Sequence, residues 1–69
     1  MEFLEGEIVY VRPRLIDPPI KAVYKRRISE EERMRGRADG HQVIIDDNVV
    51  FAFPRLIARD ADSIANVRY

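Results

Sequence analysis

Ile20-Lys21-Ala22-Val23-Tyr24-Lys25-Arg26-Arg27-Ile28 is the stretch whose reading decides the fold. Successive side chains of a strand point to opposite faces, so Ile20, Ala22, Tyr24 and Ile28 share one side, while Lys21, Val23, Lys25 and Arg27 share the other. Arg26 interrupts the apolar side. The pattern predicts a strand over 20–28 with one core face and one basic face.

The rest of the chain supports a β protein. Ile and Val together number 15 against three Leu, and β-branched side chains favour a pleated, half-buried surface over a helix. Upstream, Gly6-Glu-Ile-Val-Tyr-Val-Arg12 reads as a first strand in which Ile8 and Tyr10 alternate with Glu7, Val9 and Val11, leaving both faces partly apolar. Residues 13–19 carry three prolines, which remove backbone donors, so they form a loop of polyproline character.

Downstream, Ser29-Glu-Glu-Glu32 matches a capping box, with acids in the first turn, Arg33 and Arg35 in the last and Gly36 beyond. A helix of about two turns near 30–35 is expected, with Met34 as its only apolar anchor. Ala38-Asp39-Gly40 is a turn. The runs His41–Asp46 and Asn48–Phe53 then form a hairpin around Asp46-Asp47-Asn48, because Asp and Asn tolerate left-handed backbone. Its expected core face collects Val43, Ile45, Val49, Phe51 and Phe53. After Pro54, a helical turn over about 54–60 followed by a closing strand, Ile64–Tyr69, fits the spacing best.

Taken together, these elements make residues 1–69 a single small domain: a mainly β, antiparallel barrel or bent sheet of four or five strands. The opening Gly6-Glu7-x-Val9-x-Val11, followed by short strands, resembles small SH3-like barrels in general architecture. The resemblance implies an arrangement of strands and no activity.

A domain of this length buries only about 60% of the surface its unfolded chain exposes. Leu, Ile, Val and Phe supply 21 of 69 residues, enough for a core, although a marginal one. Small domains supplement such cores with disulfides, a metal or a second chain, and this sequence has no Cys and a single His, His41. Association remains, which predicts a homodimer or a place in a larger protein assembly. Val9, Val11, Val23 and Val50 are the apolar residues expected to be exposed for it.

Charge is sorted by position. Nine of the 12 basic residues lie between Val11 and Arg37, giving that segment a net of +5 in a chain that is neutral overall. Lys21, Lys25 and Arg27 would stand in line about 6.5–7 Å apart along the strand. Arg12 and Arg14 in the preceding loop could extend the row, and Arg33, Arg35 and Arg37 lie beyond it. Such a row can track a phosphate backbone, which makes nucleic-acid binding through the basic strand 21–27 the alternative function. The same charges also guard a strand against edge pairing, and Glu30–Glu32 stand ready to neutralise them.

Chemistry finds little material. Ser29 and Ser63 suit helix capping and stand in no recognisable arrangement with His41. Asp46-Asp47 and the pair Asp60 and Asp62 lack the further oxygen ligands of a metal loop, and one histidine without cysteine builds no transition-metal site within a chain. The three glycines lie apart and form no phosphate loop. No catalytic residue, metal, cofactor or small-molecule substrate is expected, and the chain reads as a non-catalytic protein-interaction module or accessory subunit.

The acidic opening, Met-Glu-Phe-Leu-Glu-Gly-Glu, does not suit a signal peptide, and the longest apolar run, Val49–Phe53, is far short of the roughly 18 residues of a membrane span. Absence of Cys agrees with a cytoplasmic location. Charged residues at 35%, no Thr and three amides are a composition found in proteins of high-temperature organisms.

Overall fold

The basic strand forms the middle of the structure. In a computed structural model, which describes residues 3–67, β2 (Ile20–Arg27) pairs antiparallel with β1 (Ile8–Val11) on one side and β3 (His41–Ile45) on the other. β4 (Asn48–Ala52) completes the hairpin with β3, and the two-residue β5 (Ile57–Ala58) lies outside β1. The result is a five-stranded antiparallel sheet of order β4-β3-β2-β1-β5. It is bent rather than closed, with β4 and β5 as its two edges.

Alternation in β2 places Ala22 and Tyr24 in the core, as expected, with Lys21 and Val23 opposite. The core beneath this inner face joins them to Val9, Val11, Val43, Ala52 and Ile57. Val9 and Val11 are therefore not exposed contact residues: they pair with Ala22 and Ile20 and face inward, so Ile8 and Tyr10 take the outer face of β1.

β4 corrects a second expectation. Asp46 and Asp47 have φ of 50° and 65°, the left-handed pair of a type I′ turn, so the loop contains two residues and Ile45 pairs with Asn48. A two-residue loop sets Val43 opposite Val50 and His41 opposite Ala52. Val49, Phe51 and Phe53 consequently do not join Val43 and Ile45 in the core. A one-residue difference in loop length reverses every side chain of the strand.

The helix α1 (Glu30–Met34) begins with the expected capping box: Ser29 Oγ accepts from the Glu32 N–H at 3.2 Å, and Glu32 Oε1 accepts from the Ser29 N–H at 3.4 Å. It ends where Gly36 turns left-handed at φ 95°, with the Gly36 N–H reaching the Arg33 carbonyl and the Arg37 N–H the Glu32 carbonyl. Met34 does not anchor it. That side chain is 82% exposed, and α1 buries no residue.

Beyond Pro54 the expected helical turn and following strand are present, but both are shorter and earlier than expected, and a helix occupies the start of the region assigned to the strand. A 3₁₀ turn (Pro54–Leu56) leads directly into β5, and a short helix α2 (Asp62–Ala65) follows. The apolar spacing of this region reflects Leu56, Ile57 and Ile64 each buried from a different element. Of the strand expected over Ile64–Tyr69, residues 64 and 65 are helical, and its last two residues lie outside those described.

Candidate functional site

The outer face of the sheet carries a line of apolar side chains in strict register. Ile8 on β1 pairs with Val23 on β2, Val23 with Ile44 on β3, and Ile44 with Val49 on β4. Partners opposite one another on neighbouring strands project to the same side, so the four make one row across four strands. Ile8 is 46% exposed, Val23 36% and Val49 51%. Below the row, Phe51 pairs with Gln42 and meets Phe53 edge-on, with ring centroids 4.9 Å apart. Above it, Tyr10 pairs with Lys21.

Of the residues expected to face a partner, Val23 is in this row and Val50 is half-buried on the inner side. Ile8, Ile44 and Val49 were not legible as a surface. Their membership depends on which face of β1 is covered, a tertiary fact, and on the two-residue length of the Asp46-Asp47 loop, which the Asp-Asp-Asn pattern left open.

The cations do not form one line. Between Tyr24 and Arg26 the β2–β3 register shifts, so that Arg26 pairs with Gln42 and Arg27 with His41. Arg26 is thereby turned out of the core, which resolves its place on the apolar side of the sequence pattern. Lys21 stays on the outer face, whereas Arg27 lies across the bulge from it. Arg12 leaves the row altogether. It is 6% exposed, and its guanidinium donates to the carbonyls of Asp17 (2.9 Å), Ile64 (2.7 Å), Val67 (2.9 Å) and Leu15.

Most remaining basic residues face carboxylates. Glu32 lies 2.6 Å from Arg26 and 3.2 Å from Arg37, and Asp39 lies 3.0 Å from Arg27 and 4.0 Å from Arg33. Arg35 pairs with Glu31 at 2.6 Å and Arg14 with Asp17 at 3.2 Å. The Arg26 hydrogen bond pulls the Glu32 carboxyl down to about 2, and the Arg27 hydrogen bond likewise lowers that of Asp39. Among the described residues, Lys21 and Lys25 form no ion pair. A phosphate chain on this surface would have to displace the carboxylates already held there.

No protein-family model matches the chain. No curated protein and no solved structure matches it either.

A second feature lies at the open end of the inner face, where the rings of Phe3, Tyr24 and His41 cluster with centroids 5.2 to 5.7 Å apart. The Tyr24 hydroxyl lies 2.9 Å from His41 Nδ1, and Arg59 stacks over Phe3 while gripping the Glu7 carboxylate. Burial, and then the charge of Arg27, push the His41 imidazole below its ordinary value. Ser63 lines the cleft beside this cluster, but its hydroxyl donates to Asp60 at 2.8 Å, and Ser29 is occupied by its helix cap. Among the described residues, no group of three or more His, Cys, Asp or Glu side chains is placed to hold a metal ion, and no helix is long and apolar enough to cross a membrane.

Proposed function

We propose that this chain is a small non-catalytic interaction module that docks a protein partner on the outer face of its sheet. The observation that carries this reading is the in-register row Ile8–Val23–Ile44–Val49, an apolar stripe left open to water at the centre of the sheet. Contiguous exposed apolar surface on a small domain marks an interaction site far more often than scattered single residues do. The paired cations favour it over nucleic acid, since counterion release requires cations free to meet phosphates.

The test is capture of partner proteins from the native host by immobilised chain, compared with Val23→Lys, which sets a charge in the middle of the row without touching the core. Capture that survives high salt, is lost in Val23→Lys and persists in Lys21→Glu/Lys25→Glu supports the reading. The reverse pattern, with salt-sensitive binding of RNA or DNA abolished by Lys21→Glu/Lys25→Glu, would replace it with the nucleic-acid function.

A further inference from the structure

We infer that β4 is a homodimerisation edge: two copies of the chain pair through β4 in antiparallel fashion about a two-fold axis at Val50, joining their sheets into one of ten strands. This inference stands on the backbone of β4 and is independent of what docks on the outer face.

The free edge is defined by the turn. A type I′ loop closes with Ile45 and Asn48 hydrogen-bonded to each other, so along β4 the groups of Asn48, Val50 and Ala52 face β3, while the N–H and C=O of Val49 and Phe51 face away from the sheet. Among the described residues, neither Val49 nor Phe51 directs those groups to a backbone partner outside its strand.

Exposed edges are ordinarily blocked by charge, proline or a bulge. Asn48-Val-Val-Phe-Ala52 has none of these: it is uncharged, free of proline, and regular in register over all five residues. The opposite edge, β5, is only two residues long and offers no comparable template.

The strand is also self-complementary. With Val50 on the axis, Val49 of one copy stands opposite Phe51 of the second, and the two residues are those whose hydrogen-bonding groups point outward. Each such pair exchanges two backbone hydrogen bonds, and the axis generates the pair twice. Val49 and Phe51 both project to the outer face, so the apolar surfaces of the two copies meet edge to edge.

Charge agrees at the ends. The same register brings the acidic tip Asp46-Asp47 of one copy beside Phe53-Pro54-Arg55 of the second, placing two exposed carboxylates next to an exposed guanidinium at both ends of the contact. Any parallel pairing would instead set the two acidic tips side by side.

The test is sedimentation velocity of the full chain over a rising concentration series, beside a chemically synthesised chain carrying N-methyl-Phe51. The methyl group removes one outward donor and obstructs the edge, yet leaves every side chain of the Ile8–Val23–Ile44–Val49 row in place. Loss of the dimer with partner capture intact thus separates this inference from the docking reading.

The expected result is a dimer for the unmodified chain, a monomer of unchanged circular dichroism for the N-methylated one, and slow hydrogen exchange at the Val49 and Phe51 amides only in the dimer. Arg55→Glu should weaken the dimer roughly two- to fivefold, as exposed ion pairs do, and have no such effect in an Asp46→Asn/Asp47→Asn background. A chain that remains monomeric into the high micromolar range overturns the inference, as does a dimer in which the Val49 and Phe51 amides exchange freely. If N-methylation prevents folding, the Arg55→Glu cycle and the exchange data on the unmodified chain decide the matter.

Discussion

The Arg12 guanidinium donates to the Ile64 carbonyl oxygen at 2.7 Å, joining the end of β1 to the helix α2 across 52 positions of sequence. The same group reaches the Val67 carbonyl just beyond the helix, so a single cation reinforces the long 3.4 Å bond from the Val67 N–H to the Ile64 carbonyl and supplies a donor to Val67. It also holds Asp17 and Leu15 of the β1–β2 loop. Loop and C-terminal segment are tied together through one buried planar fork.

Replacing Arg12 should therefore cost more than any surface change. Arg12→Ala strands several carbonyls and is expected to destabilise by about 3 kcal/mol, as loss of a buried charged partner does. Arg12→Lys should recover little, because an ammonium cannot span acceptors on both sides of the guanidinium plane. Urea denaturation of the two variants against the native chain measures both; a lysine variant of native stability would contradict the fork.

Glu32 governs acid sensitivity on the basic side. Its carboxyl falls from 4.5 to about 2 in the folded chain, chiefly through the Arg26 hydrogen bond, so folding favours the ionised form. That contribution is complete above about pH 4.5 and is lost as pH falls toward 2. Glu32→Gln should flatten the stability profile across this window, lowering stability near neutrality and leaving it unchanged near pH 2, as chemical denaturation at a series of pH values would show.

His41 acts in the same direction at higher pH. Its folded pKa lies below the ordinary 6.5, so the unfolded chain binds the proton first, and stability should decline as pH drops below 6.5 toward the folded value. An NMR titration should find the imidazole midpoint below 6.5. Tyr24→Phe, which removes the partner of Nδ1, should cost about 1 kcal/mol at pH 7.

Gly40 is needed for space rather than for a special backbone angle. A Cβ there would overlap the Phe51 ring and come within 2.7 Å of the Ala52 carbonyl oxygen. Gly40→Ala should destabilise by about 1–3 kcal/mol, the usual cost of overpacking. Combining it with Phe51→Leu should restore part of the loss if ring displacement is the cause, which thermal unfolding of the single and double variants can establish.

What the sequence determined by itself was local. The alternation of Ala22 and Tyr24 against Lys21 and Val23, the Ser29–Glu32 capping box and the turn at Asp46-Asp47 depend on neighbours within a few residues, and each forms as its pattern demands. Tertiary structure decided the rest. Which side of β1 is covered depends on what the sheet folds over, and this buried Val9 and Val11 and opened Ile8. The turn at Asp46-Asp47 is local, but its two-residue length, which set the face of β4, was not announced by the pattern, and the straightness of the cationic row was lost to a bulge between Tyr24 and Arg26. Arg12 reads as a surface cation until the chain brings residues 64–67 beside it, because its acceptors are backbone carbonyls, which every residue possesses and no side-chain pattern can announce.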